Sequence, residues 1–161
     1  MDVRKLALAA LFISLSAVGG MIKIPLGIAS IALDSLPALL AVLFFSAPLA
    51  ALIAIFGHMM SAFLGGMPLG PFHLMIAAEM GMIIWLFAKL HAAEMDRIKW
   101  LAFIFFNGVI AAVPFYFLMS PAFFYATVPA LLLAATVNAA AAAAAMPYLL
   151  RIKAGRTNHA S

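Results

Sequence analysis

Few residues in this chain can do chemistry, and those few stand inside long apolar stretches. Glu79 lies in the apolar run that opens at Phe72, and His73 stands beside Phe72. His58 and Ser61 lie in the run that ends at Leu64, and Asn107 and Asn138 interrupt two further runs. Asp34 and Ser30 are polar members of a mainly apolar segment from Ile22 to Ser35. Such groups lose their water, so each needs a hydrogen-bond partner or a ligand. If the run from Phe72 is helical, Glu79 is about two turns in, roughly 10 Å deep at about 1.5 Å per residue. His58 sits at a similar depth from the end of its own run, with Ser61 one turn along the same face. A His58–Glu79 hydrogen bond is one expectation; contact of at least one of them with a bound molecule is the other. His73 falls on a different helical face from Glu79 and either stands wet at the boundary or caps a pocket. Asn107 and Asn138 either bond each other or offer their amides to a ligand. Asp34, just ahead of Ser35 and Pro37, either caps the next helix or contacts a ligand. Aromatic residues gather at Phe72, Phe115, Tyr116, Phe117, Phe123, Phe124 and Tyr125. Their default role is an interfacial belt, with a subset available to stack on a flat ligand.

Patterns for enzymatic chemistry are missing. His58 and His73 do not form the HExxH spacing of a zinc site, and there is neither a nucleophile elbow nor a phosphate-cradling loop. Gly65, Gly66 and Gly70 are broken by Pro68 and Pro71 and read as a turn. The chain has no Cys, which excludes a disulfide framework, a thiolate metal site and a cysteine nucleophile. No metal, no cofactor and no catalytic residue are expected.

The elements that position these residues follow from composition. Of 161 residues 68% are hydrophobic and only 9% charged, with a mean hydropathy of +1.22. A soluble domain carries about 25% charged residues. Lipid is the solvent that tolerates such a surface, and a span needs about 20 mainly apolar residues. The expected fold is all-α: one membrane domain over residues 1–161, a bundle of about six transmembrane helices. The spans run at about Arg4 to Met21, Leu36 to Ser46 (short), Pro48 to Leu64, Phe72 to Leu90, Ile98 to Met119 with a kink at Pro114, and Val128 to Leu150. The start, Met1 to Gly20, has the basic flank and apolar stretch of a signal peptide. It is long enough to span, however, and its removal would leave an odd helix count. The apolar segment at about 22–35 is expected to fold over the bundle as an outer lid, and about 151–161 to form a polar tail.

Charge orients this bundle. The net charge is +4, yet the basic residues sit between spans and at the ends, so they read as topology determinants rather than a nucleic-acid surface. With six spans, Arg4, Lys5, Lys89, Arg97, Lys99, Arg151, Lys153 and Arg156 share one side and only Lys23 lies on the other. That asymmetry places both termini in the cytoplasm of a bacterial cell. Two stripes of small residues stand out: Ala7, Ala10, Ser14 and Ala17 in the first span, and Ala139 to Ala145 in the last. Each either packs within the bundle or meets a partner protein.

The stretches MIKIPLGIASIALDSLPALLAVL and GHMMSAFLGGMPLGPFHLMIAAEMGMIIWLF, with the small-residue stripe and the cytoplasmic basic flanks, resemble the substrate-binding S components of energy-coupling factor (ECF) transporters. Within that family the blocks ALDSLPALLA, GHMMSAFLGG and PLGPFHLMIAAEM are most similar to the alpha-ribazole transporters, which salvage a cobalamin precursor. The resemblance implies capture of a vitamin or vitamin precursor from outside, under the loop between the first two helices. It implies docking on a membrane T component driven by two cytoplasmic ATPases, and a toppling motion that releases the cargo inward. It also implies that Ala7, Ala10, Ser14 and Ala17 touch the T component, although Ser14 stands where a strict alanine pair would place Ala. The expected ligand contacts are Asp34, His58, Ser61, His73, Glu79, Asn107 and Asn138. Other ligands, such as a thiamine precursor or pantothenate, stay open. So do a membrane-embedded enzyme, an assembly subunit and a solitary secondary carrier.

Overall fold

The chain's structure, a computed structural model, describes residues 2–26 and 29–158, and side chains except those of 23–31 and 154–158. Its helices follow the mainly apolar runs: α1 Val3–Met21, α2 Ser35–Ala41, α3 Ala47–Leu64, α4 Phe72–Ala92, α5 Asp96–Gly108, α6 Val113–Leu118 and α7 Pro121–Asn158. A 3-10 turn, Ile110–Ala112, joins α5 to α6. Proline marks several of the starts. Pro48 and Pro114 occupy the first turns of α3 and α6, where the missing N–H has no intrahelical partner to lose. The kink expected at Pro114 is realised just before it as the 3-10 turn, because the proline ring collides with the carbonyl four residues back. The segment from Ser120 to Thr127, expected as a connection, is instead helical from Pro121, and Ser120 Oγ accepts the Phe123 N–H at 3.1 Å. The expected polar tail from Arg151 is likewise helical as far as Asn158, and 159–161 lie outside the described residues.

Packing contacts fix the direction of each helix. Gly57 lies against Ser16 and Gly20 against Ser61, so α1 and α3 run parallel. Contact pairs His58–His73 and Ile55–Gly81 make α4 antiparallel to α3. Phe87 packs on Trp100 and Phe103, while Gly108 meets Leu132, which turns α5 back up and α7 down again. Leu36 bonds to Asn138 and Leu43 to Lys153, so α2 runs parallel to α7. The passes alternate as α1, α2, α3, α4, α5–α6 and α7, so the start of α1 and the end of α7 fall at one end of the bundle.

Five segments are long and apolar enough to cross a membrane: Val3–Met21, Ala47–Leu64, Phe72–Ala92, Asp96–Leu118 and Pro121–Lys153. The second pass is the exception and corrects the expected span from Leu36 to Ser46. Helix α2 has seven residues. At about 1.5 Å per residue it covers roughly 10 Å, a third of a hydrocarbon core about 30 Å thick. It can be short because protein surrounds it. Pro37 is buried, and Ala38, Leu39 and Ala41 join a core with Ile84, Phe87, Phe103, Ala135, Ala139 and Ala142. Interrupted backbone is tolerated at membrane depth where protein, not lipid, encloses it.

The segment expected as a loop from Ile22 to Ser35 contains an antiparallel hairpin, β1 Lys23–Leu26 and β2 Ala29–Ala32, in register Lys23 with Ala32 and Pro25 with Ser30. Its base is tied to α1: Gly19 O accepts N–H groups from both Ile22 (3.2 Å) and Leu33 (3.0 Å). A side chain at Gly19 would run into that same Leu33 backbone, so the close approach requires glycine. The side chains of Ile24, Leu26, Ile28, Ser30 and Ile31, on which the lid expectation rests, lie outside the described residues.

Candidate ligand-binding site

A cavity of about 450 Å³ opens where α2, α3, α4, the α5–α6 break and α7 converge. One part of its wall is polar, from Asp34, Ser35, His58, Ser61 and His73. Another is apolar and aromatic, from Met80, Ala112, Phe115, Phe123 and Leu131. Asn107 and Asn138 also line it. Six of the seven expected ligand contacts therefore meet in one place: Asp34, His58, Ser61, His73, Asn107 and Asn138.

Glu79 does not meet them. It lines a separate cavity of about 260 Å³ with Met82, Ile83, Leu86, Phe106, Ile110 and Ala111, on the α5-facing side of α4. The expected His58–Glu79 bond is absent, and Glu79 Oε2 is shielded from solvent with no hydrogen-bond partner among the described residues. The physical reason is helical phase. His73, Ile76 and Met80 share the face of α4 turned to the central cavity, whereas Glu79 shares its face with Met82, Ile83 and Leu86.

His58 instead joins a relay. His58 Nδ1 lies 3.3 Å from Asp34 Oδ2, and His58 Nε2 lies 3.3 Å from His73 Nδ1. The backbone N–H of Leu69 donates to His73 Nε2 at 3.4 Å. A backbone N–H can only donate, so His73 Nε2 accepts and its proton sits on Nδ1. His73 Nδ1–H then donates to His58 Nε2, and His58 Nδ1–H donates to the Asp34 carboxylate. Ser35 Oγ donates to the other carboxylate oxygen at 3.3 Å. Asp34 does stand at the N-cap of α2, but its side chain makes no capping bond there because it is turned to this relay. Among the described residues no group of three His, Cys, Asp or Glu is arranged to hold a metal ion.

The two asparagines do not bond each other. Asn138 is 1% exposed and fully engaged with backbone. Its Oδ1 accepts the Leu36 N–H at 2.8 Å, and its Nδ2 donates to Ala32 O at 2.7 Å and Ala134 O at 2.9 Å. It thereby ties both flanks of Asp34 to α7. Asn107 has no such commitment among the described residues and presents its amide to the cavity.

The aromatic cluster divides as the two expectations allowed. Phe115 is buried, packs on Phe72 and Phe123 at 5.7 and 5.8 Å between ring centroids, and lines the cavity with Phe123. Phe117 and Tyr125 are exposed. The stripe on α1 divides too: Ala7, Ala10 and Ser14 are exposed, whereas Ala17 is buried and faces the bundle. In α7, Ala139 and Ala142 pack inward and Ala140, Ala143 and Ala144 face out. Residues that sequence reasoning missed include Ser35 and Leu69, which hold the ends of the relay. The Asp34–His58 contact spans 24 residues, beyond the reach of any helical periodicity.

A multi-pass helical bundle that encloses a ligand-sized cavity, polar along one wall and aromatic along another, is the frame of a membrane binding subunit. The model of the family "ECF transporter, substrate-specific component" matches residues 4–151, nearly the whole chain. The chain belongs to that family: it is a subunit of a multi-pass membrane transporter and not an enzyme. Membership implies a substrate ligand and an ECF module as partner. No curated protein and no solved structure matches the chain.

Proposed function

We propose that this S component captures a vitamin precursor from outside the cell, alpha-ribazole first among the candidates, and delivers it inward with a T component and two ATPases. The observation that carries the reading is the composition of the central cavity. Met80, Phe115, Phe123 and Leu131 offer a surface for a flat apolar benzimidazole, and Asp34, Ser61 and Asn107 offer groups for ribose hydroxyls. The hairpin and the strap from Leu33 to Leu36 serve as the lid, clamped by Asn138 on one side and by the relay on the other. The basic end of the bundle, with Arg4, Lys5 and Arg151, lies in the cytoplasm, so the hairpin end faces out. The exposed Ala7, Ala10 and Ser14 form the contact with the T component, where small side chains let helices approach closely.

Uptake of labelled alpha-ribazole into cells expressing this chain, with and without an ECF module, tests the reading. Accumulation that requires the module is the expected result. Accumulation without the module would make the chain a solitary carrier, and no accumulation in either case would remove alpha-ribazole.

A further inference from the structure

The hydrogen-bond inventory of the cavity says what its ligand must offer. Both nitrogens of His58 and both of His73 are engaged inside the protein, so neither imidazole has an N–H to give a ligand. The Ser35 hydroxyl proton is directed at Asp34, the Thr127 hydroxyl donates to Phe123 O at 2.8 Å, and the Asn138 amide is fully used. Among the described residues the Ser61 hydroxyl and the Asn107 amide lack a protein partner, and Asp34 is the one carboxylate in the lining. An ionised carboxylate offers about four lone-pair sites. The protein fills two of these, one on each oxygen, and the side chain is 17% exposed in the cavity wall. The relay holds its orientation in the cavity wall, and each oxygen keeps one lone pair that no described residue fills.

We propose that the ligand presents a neighbouring pair of hydrogen-bond donors to Asp34, as a vicinal diol does, and carries no anionic group at that end. Two adjacent hydroxyls match the two remaining lone pairs of one carboxylate. A phosphate or carboxylate there would meet a like charge and an acceptor where it needs a donor. His58 and His73 act as positioning residues, holding the carboxylate rather than touching the ligand. This inference rests on the central cavity being the ligand site.

Equilibrium binding to the purified full chain tests it, with alpha-ribazole and an analogue lacking one hydroxyl of the ribose pair as probes. Wild type is expected to bind alpha-ribazole about tenfold more tightly than the analogue, the usual order for one charge-assisted hydrogen bond. In Asp34→Asn, which keeps the size but replaces one acceptor by a donor, that difference should largely vanish. A preference that is absent in wild type, or that persists undiminished in Asp34→Asn, overturns the inference. The wild-type comparison stands by itself if the variant does not fold. If alpha-ribazole does not bind at all, the small molecule retained by the chain from a bacterial metabolite extract decides. A retained compound with a donor pair removes alpha-ribazole and supports the inference; a carboxylate or phosphate without one overturns it. An empty chain overturns both the inference and the ligand site.

Discussion

At the residue scale, two asparagines near the same depth carry opposite duties, and substitution should separate them. Asn138 holds Leu36 N–H, Ala32 O and Ala134 O, so Asn138→Leu strands two half-buried backbone groups on either side of Asp34. Each unsatisfied buried group costs about 1–3 kcal/mol, and a lowered Tm of the ligand-free protein is the expected result. Asn107 has no internal partner among the described residues, so Asn107→Leu should leave that Tm nearly unchanged while ligand affinity falls about tenfold. Equal Tm losses in the two variants would contradict this division. Glu79 supplies a second test. It lies outside the central cavity, so Glu79→Gln should leave ligand affinity within about twofold of wild type, well under the 1.4 kcal/mol that marks a factor of ten. A tenfold loss would return Glu79 to the site. The sequence made the identity of the polar residues legible, because each is an interruption in an apolar run. Their pairing was not legible. Whether His58 meets Glu79 or Asp34 depends on the rotation of α4 by less than one turn and on the path of a strap two elements away.

At the scale of elements, α1 connects packing to partnership. Its buried face, with Phe12, Ser16, Ala17 and Gly20, packs against α3 and the turn after α2, whereas Ala7, Ala10 and Ser14 face outward. Ala10→Leu or Ser14→Leu should abolish co-purification with the T component and leave ligand affinity close to wild type. Parallel loss of binding would mean that this face packs internally. Gly20 belongs to the other face: a Cβ there would collide with the Ser61 side chain in the cavity wall. Gly20→Val should therefore reduce thermal stability and ligand binding together. The five long spans were legible because lipid demands uninterrupted apolar length. Helix α2 was not, because a segment enclosed by protein escapes that demand. The hairpin was concealed by its own composition. Pro25 argues against a strand in the middle of a sheet, but both strands of a two-stranded hairpin are edges, where proline is tolerated.

At the scale of the whole molecule, an even number of passes and a one-sided distribution of Lys and Arg carry the topology. The chain contains no Cys, so single reporters are unambiguous. An impermeant thiol reagent applied to intact cells should label Ser120→Cys and spare Ser46→Cys and Asn158→Cys; labelling of Asn158→Cys would contradict the orientation. The membrane-spanning class was the most legible feature of the sequence, since hydropathy sums over many residues and survives the misplacement of any one boundary. The central claim, that the cavity between α2, α3, α4, the α5–α6 break and α7 is where cargo is captured, has a direct test. The full chain is purified as wild type and as Ala134→Phe, which places a ring into the cavity from α7. Each is denatured, and the released small molecules are identified by mass spectrometry. The wild type should release one compound, with alpha-ribazole expected, near one molecule per chain, and the filled variant should release none. Release of the same compound in equal amount from both would show that the ligand sits elsewhere.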